Sequence, residues 1–261
     1  MSKRISVIMG VYNCASTLQE ALDSLYAQTF QDFKIILCDD GSIDDTLKIA
    51  KENATVHDNI VVIKNSENRG LNYTLNHCLE YVDTEYIARM DGDDISLPTR
   101  FEKQIAFLDK HPEFAVVSSP MIYFDESGDF REGKAKECPN KYDFVKGTPF
   151  CHAPCMMRAY VMKSVGGYTD DTRLLRVEDY HLWFKVYAAG YKGANLQEPL
   201  YKMRDDRAAY NRRTFKSRLN EAYVKSIGYR MLHLPFFYQL FALRPIMVGL
   251  LPKRIYLLLH K

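Results

Sequence analysis

Glycine-rich phosphate cradles are missing from this sequence: no G-x-G-x-x-G follows the first strand-like segment, and there is no P-loop. A dinucleotide cofactor and nucleotide hydrolysis therefore lack the backbone amides that usually hold their phosphates. A G-x-S-x-G nucleophile elbow is also missing, which sets aside a Ser/His/Asp hydrolase of that type. Charge of one sign is not in excess. The formal net charge of +2 is too small for a molecule whose affinity for nucleic acid would rest on neutralising phosphates, so no nucleic-acid partner is expected. Six cysteines, at 14, 38, 78, 138, 151 and 155, show no framework spacing. Most lie in apolar runs, where a reduced thiol acts as a small hydrophobe, and that suits the cytosol. The opening MSKRISVIMG has neither the long apolar stretch nor the small-residue cleavage site of a secretory signal. No apolar run reaches the roughly 20 residues of a membrane-spanning helix.

Apolar content is ample. With 47% hydrophobic residues over 261 positions, the chain can bury a full core as one large α/β domain, or one domain plus an appendage. Four short strands are expected at Ile5 to Met9, Phe33 to Cys38, Ile60 to Ile63 and Tyr86 to Met90. Between them Leu18, Ala21, Leu22 and Leu25 recur at helical spacing, as do Leu71, Leu75, Cys78, Leu79 and Val82. Such alternation predicts βαβ units and a mainly parallel sheet. Thr17 and Glu20 have the spacing of a capping box, and Pro98 suits the first turn of a third helix. Strand-like sequence returns from Ala115 to Phe124 and turns at Ser127-Gly128, and a helix is predicted from Glu178 to Ala189. The stretch from Leu232 to Leu259 is apolar and aromatic but broken by Pro235, Pro245 and Pro252 and by basic residues. It reads either as a helical subdomain packed on the core or as a surface-lying amphipathic anchor.

In an open parallel sheet, ligands bind beyond the carboxyl ends of the strands. Those positions are unusually polar here: Tyr12-Asn13, Asp39-Asp40-Gly41-Ser42, Asn65 with Asn68-Arg69-Gly70, and Asp91-Gly92-Asp93-Asp94. Turn formation and helix capping account for such residues singly. Three carboxylates within four residues, however, repel one another unless a cation offsets them, and oxygen-only ligands favour Mg²⁺ or Mn²⁺ bridging a diphosphate. Glu178-Asp179 opens the aromatic helix EDYHLWFKVYAAG. Acidic residues in a first turn are ordinary dipole partners, but Asp179 could also serve as a general base toward an acceptor hydroxyl. Cys151, His152 and Cys155 more often line a strand than bind zinc. The basic residues Lys202, Arg204, Arg207, Arg212 and Arg213 are expected just after a last strand, as a solvated face or as diphosphate ligands.

Taken together, VIMGVYN, CDDGSIDDT, NRGLNYTLN, ARMDGDD and GGYTD followed by VEDYHLWFKV resemble the family 2 glycosyltransferases of the GT-A fold over residues 3 to 205. The resemblance implies a Rossmann-like, mainly parallel α/β sheet flanked by helices, with a C-terminal helical, basic-apolar tail. It implies a catalytic domain over 1–205, divided into a nucleotide-binding half (1–97) and an acceptor-binding half (98–205), and a C-terminal region over 206–261. Asp39 would contact the nucleobase, and Asp91 and Asp93 would serve ribose, diphosphate and a Mn²⁺ or Mg²⁺ ion. Asp94 would support the turn. Val11, Tyr12, Asn13, Asn68, Gly70, Arg89, Gly92, Glu178 and Arg204 would complete the substrate site, and Asp179 would be the base of a single inverting displacement. Gly10 departs from the family's usual proline and is expected to loosen the backbone before the turn. The tail resembles bacterial O-antigen and capsule enzymes. That implies a UDP-hexose donor, an undecaprenyl-diphosphate-linked sugar acceptor, and a cytoplasmic enzyme peripheral to the inner face of the cell membrane. A sugar-phosphate nucleotidyltransferase and a catalytically inactive sugar-nucleotide scaffold are the alternatives. The first lacks its basic phosphate loop after the first strand, and the second would be expected to lose the carboxylates that are present here.

Overall fold

Strands of near-continuous apolar sequence alternate with amphipathic helices, and the fold places the successive side chains of the central strands in two different cores. The computed structural model describes residues 3–205 and 214–250. Its strands are β1 (Ile5–Val11), β2 (Phe33–Asp39), β3 (Ile60–Lys64), β4 (Tyr86–Arg89), β5 (Ile95–Ser96), β6 (Val116–Ser118), β7 (Ile122–Asp125), β8 (Gly128–Glu132), β9 (Met156–Arg158), β10 (Gly193–Asn195) and β11 (Tyr201–Arg204). The helices are α1 (Leu18–Tyr26), α2 (Thr46–Val56), α3 (Leu71–Leu79), α4 (Arg100–Lys110), α5 (Ala159–Ser164), α6 (Glu178–Ala188), α7 (Phe215–Met231), α8 (Gln239–Ala242) and α9 (Arg244–Leu250).

The main sheet has the order β10-β6-β9-β4-β1-β2-β3. β1 runs parallel to both β2 and β4, and β2 parallel to β3, whereas β9 runs antiparallel between β4 and β6. Val7, Met9, Ile35 and Leu37 point into a core with α1, α2 and α4; Ile8, Ile36, Cys38 and Ile87 point into the other, with α3, α5, α6 and α7. A strand buried on both faces needs this unbroken apolar run. The chain order reverses around β1, so the carboxyl ends of β1, β2 and β4 meet at a topological switch point. A second sheet, β5-β11-β7-β8, stands beside that end.

Several local expectations change. Thr17 does not accept a capping bond; its hydroxyl donates to the carbonyls of Cys14 (3.2 Å) and Gly92 (2.9 Å), while Glu20 pairs with Arg204. The capping spacing is therefore used to tie α1 to the Asp91–Asp94 turn. The strand-like run from 115 to 124 divides into β6 and β7 in different sheets, with Pro120, which has no amide to give a ladder, in the break. Gly10 is not a loosened position. It lies inside β1 with Cys38 as its register partner, and an added Cβ would sit 3.1–3.2 Å from Leu71 and Thr74. Close packing of α3, rather than backbone freedom, accounts for the glycine there. Lys202 and Arg204 lie within the last strand instead of after it, while Arg207, Arg212 and Arg213 fall outside the described residues. The helical C-terminal expectation is met by α7 to α9, and the part of it beyond Leu250 lies outside the described residues. Among the described residues no helix is long and apolar enough to cross a membrane.

Candidate active site

The polar residues that follow β1, β2 and β4 are joined by hydrogen bonds at the switch point. After β1, Asn13 turns through a left-handed conformation (φ 49°). Its amide donates to Ser42 Oγ at 3.0 Å, and its Oδ1 accepts from the Ile43 amide at 3.0 Å. After β2, Asp39 is 2% exposed; its Oδ2 accepts from the Ser42 amide at 3.2 Å, whereas its buried Oδ1 has no partner. A buried carboxylate oxygen left open carries a desolvation cost that a donor from a ligand would offset. Asp40, not singled out from sequence, is the organiser of the next loop. It accepts from Asn65 Nδ2 (2.7 Å), the Arg69 amide (2.9 Å) and the Gly70 amide (2.8 Å). Half-buried Gly70, which caps α3, is thereby held beside β2, and exposed Asn68 lies two residues before it. Two adjacent aspartates after a strand look interchangeable in sequence, and only the fold separates the organiser from the open one.

After β4 the chain makes the Asp91–Asp94 turn. Gly92 is required by proximity: a Cβ there would lie 2.8 Å from Cys14 Sγ and 3.0 Å from Val11 Cγ1. Its absence lets the carboxylate turn close against the first loop. A cavity of about 320 Å³ opens between them, lined by Val11, Tyr12, Asn13, Asp91, Gly92, Asp93 and Arg204 among others. Asp94 turns away from it, accepting from the Arg204 amide at 2.8 Å. Burial, then the charges of Asp91 and Asp93, push the Asp94 carboxyl up to about 8. Asp93 reaches solvent, yet partial desolvation by the cavity walls and the charge of Asp91 raise it as well. Arg204 Nε donates to the Asp93 carbonyl at 3.0 Å, its guanidinium lies over the Phe124 ring, and its other end pairs with Glu20.

Arg89 connects this turn to the acidic helix. It is 2% exposed and pairs with Asp91 Oδ1 at 2.5 Å, while its Nε and Nη1 are buried without partners. Burial works against its charge, but the Asp91 carboxylate more than compensates and raises its pKa. On its other side its charge reaches Glu178 and Asp179, partly offsetting the rise that burial gives both carboxyls, and His152, which burial first and then Arg89 keep neutral. His152 in turn meets Tyr168 Oη at 2.7 Å. Asp179 is half-buried in the first turn of α6. Burial, followed by the neighbouring Glu178 charge, pushes its carboxyl up to about 7. A carboxylate poised there combines availability with basicity.

Asp91 and Asp93 face the cavity with oxygen donors and a mutual repulsion that a hard cation would relieve. Among the described residues no three His, Cys, Asp or Glu side chains converge into a protein-only metal cage. A divalent ion held by these two carboxylates would have to take its remaining ligands from elsewhere. Burial pushes the Cys151 and Cys155 thiols up to about 11 and 12, unlike the thiolates that zinc needs. A second cavity, about 520 Å³, lies between α3 and α5 and includes none of these residues.

Comparison with known proteins gives a consistent set of matches. The model of Glycosyl transferase family 2 matches residues 6–166. The putative glycosyltransferase EpsE of Bacillus subtilis is 41% identical over 259 residues, covering 99% of this chain and 93% of EpsE. An Escherichia coli protein, UDP-Glc:alpha-D-GlcNAc-diphosphoundecaprenol beta-1,3-glucosyltransferase WfaP, is 28% identical, with 88% of each chain covered. Among solved structures, S. aureus TarS 1–349 in complex with UDP-GlcNAc superposes with a TM-score of 0.72 at 18% identity, covering 95% of this chain and 71% of that one. The mannosyltransferase PcManGT of Pyrobaculum calidifontis, in complex with GDP-Man and Mn²⁺, gives 0.62 at 19%, covering 100% and 79%. At these identities the structural likenesses show the fold.

Proposed function

Since the chain belongs to glycosyl transferase family 2, we propose that it moves a hexose from a UDP-sugar, UDP-glucose or UDP-galactose, to a hydroxyl of a sugar linked to undecaprenyl diphosphate, with inversion, forming a β-glycosidic bond. The observation that carries this reading is the buried Arg89. It is paired with Asp91 on the donor side and within electrostatic reach of Asp179 on the acceptor side, so leaving group and base belong to one site. The open Asp39 oxygen accepts a ring N–H of the nucleobase. Asp179 takes the acceptor's hydroxyl proton as that oxygen bonds to the anomeric carbon. The anomeric C–O bond breaks in the same displacement, its electron pair leaving with the nucleoside diphosphate. Asp91 and Asp93 would hold a Mn²⁺ or Mg²⁺ ion, which would offset the negative charge gathering on the diphosphate. The UDP-sugar and lipid-diphosphate assignments are supported by TarS, whose structure holds UDP-GlcNAc, and by WfaP, a UDP-Glc:alpha-D-GlcNAc-diphosphoundecaprenol beta-1,3-glucosyltransferase. An acceptor of that kind places the enzyme at the inner face of the bacterial cell membrane, in O-antigen or capsule repeat-unit synthesis.

The test is release of free nucleoside diphosphate from a panel of UDP-, GDP- and dTDP-sugars, with Mn²⁺ and a synthetic GlcNAc- or GalNAc-diphospholipid acceptor. Acceptor-dependent release from a UDP-hexose is expected. Silence across the panel, with no nucleotide binding by calorimetry, would support the inactive scaffold, and pyrophosphate release from UTP plus a sugar phosphate would support the nucleotidyltransferase.

A further inference from the structure

The C-terminal helices carry an apolar stripe on their outer side. Phe236 in a 3-10 turn just before α8, Leu240 in α8, Leu243 at the α8–α9 junction, and Met247 and Leu250 in α9 recur at intervals of four, three, four and three, the spacing that normally faces a core, yet they are 87, 71, 50, 66 and 71% exposed. Phe237 and Phe241 flank the stripe and are about half exposed. A run of large exposed side chains at helical spacing marks a surface that meets something apolar. The inner side is satisfied: Ala242 and Pro245 are buried, and Gln239 bonds Ser226 of α7. Charge identifies what covers the outer one. Residues 214–250 hold five Lys and Arg against a single acid, and that acid, Glu221, is paired with the buried Lys225 at 3.1 Å. Lys216, Arg230 and Arg244 are exposed. An apolar stripe on elements that also expose Lys216, Arg230 and Arg244 complements an anionic bilayer surface, where the apolar side chains enter the headgroup boundary and the cations meet lipid phosphate.

The placement of the stripe is informative too. α9 returns to the first turn of α7, where Gly249 comes so close that an added Cβ would lie 2.5 Å from Arg218 Cδ. Two residues on, Asn220 donates to the Leu175 carbonyl at 3.1 Å, and Arg173 lies over the Tyr223 ring. Residues 172–177 form the segment that delivers Glu178 and Asp179. The stripe and the base are thus joined through α7, with about 8 Å of helix between Phe215 and Asn220.

We propose that the outer face of residues 236–250, with Lys216, Arg230 and Arg244, docks on the surface of an anionic phospholipid bilayer and so sets the base helix against the membrane boundary. This rests on the lipid-linked acceptor proposed above for its purpose, but its test does not. Full-length protein is sedimented with vesicles of pure phosphatidylcholine and of phosphatidylcholine with about 30% phosphatidylglycerol. Binding to the anionic vesicles is expected, weakened by 0.5 M salt, and at least about tenfold weaker in a Phe236→Ser, Leu240→Ser, Met247→Ser variant. The variant should keep the wild-type circular dichroism and its rate on a water-soluble short-chain acceptor, and lose rate only on acceptor embedded in vesicles. No sedimentation with either vesicle, or a dimer by ultracentrifugation that the variant converts to monomer, would overturn the proposal, the latter assigning the face to a second copy of this chain. Vesicle binding without any transfer would instead overturn the reaction and leave the docking surface standing.

Discussion

Replacing Asp179 by Asn should remove activity and add stability, a combination that a merely structural aspartate cannot give. The carboxyl is held at about 7, against 3.8 for a free aspartate. At 1.36 kcal/mol per decade that is on the order of 4 kcal/mol between its two protonation states, and water reaching a half-buried group reduces the realised value to about 1–3 kcal/mol. The folded protein thus retains a proton that the unfolded chain gives up near pH 4. Between pH 4 and 7 the unfolded state binds fewer protons, so this group's contribution to stability falls as pH rises. Asn carries no such penalty. In urea titrations with EDTA present, the Asp179→Asn protein should match the wild type below about pH 4 and exceed it by about 1–3 kcal/mol at pH 8. Its kcat should fall by about 10²- to 10⁴-fold, with donor binding by calorimetry nearly unchanged. Wild-type kcat should drop on the acid side of about 7, to about a tenth one pH unit below. Equal or lower stability of the variant at pH 8, or a kcat within about threefold of wild type, would refute both the buried charge and the base.

Asp40→Ala should cost about 3 kcal/mol, because it strands the Asn65, Arg69 and Gly70 donors; a thermal midpoint lowered by about 6–12 °C checks it. Gly92→Ala should raise the donor KM and cost about 1–3 kcal/mol by pressing on Cys14 and Val11, and Cys14→Ala in the same chain should recover part of both. Exhaustive chelation should abolish transfer and Mn²⁺ or Mg²⁺ restore it, and Asp93→Asn should raise the Mn²⁺ concentration needed for half-maximal rate; full activity after chelation would remove the metal from the mechanism.

The first four strands and helices α1 and α3 were legible because each displays a period, and both cores draw on that pattern, whereas α2 was missed because the residues it buries, Thr46, Ala50 and Asn53, form no apolar stripe. β9 was not: three residues between a Cys/His-containing loop and a helix show no alternation, and only pairing with β4 and β6 makes them a strand. The polar clusters were legible as positions, since turn chemistry after a strand is local. Their roles were less so. Asp40 differs from Asp39 only through the distant loop it binds, Thr17 through a carbonyl 75 positions away, and Arg204 through Glu20 and the Asp93 carbonyl across the sheet boundary. Long-range partners such as these leave no trace in spacing.

The antiparallel insertion of β9 has a consequence for exchanging parts between relatives. A chimera joined at residue 97 would have to rebuild the β4–β9 ladder and the β5–β11 pairing from foreign halves. It would also have to reseat Arg100, whose buried guanidinium donates to the carbonyls of Arg89, Ala153 and Cys155. The stretches on either side of residue 97 therefore share one set of ladders and buried contacts, and recombination would have to alter side chains around that shared seam instead of swapping the pieces on either side of it.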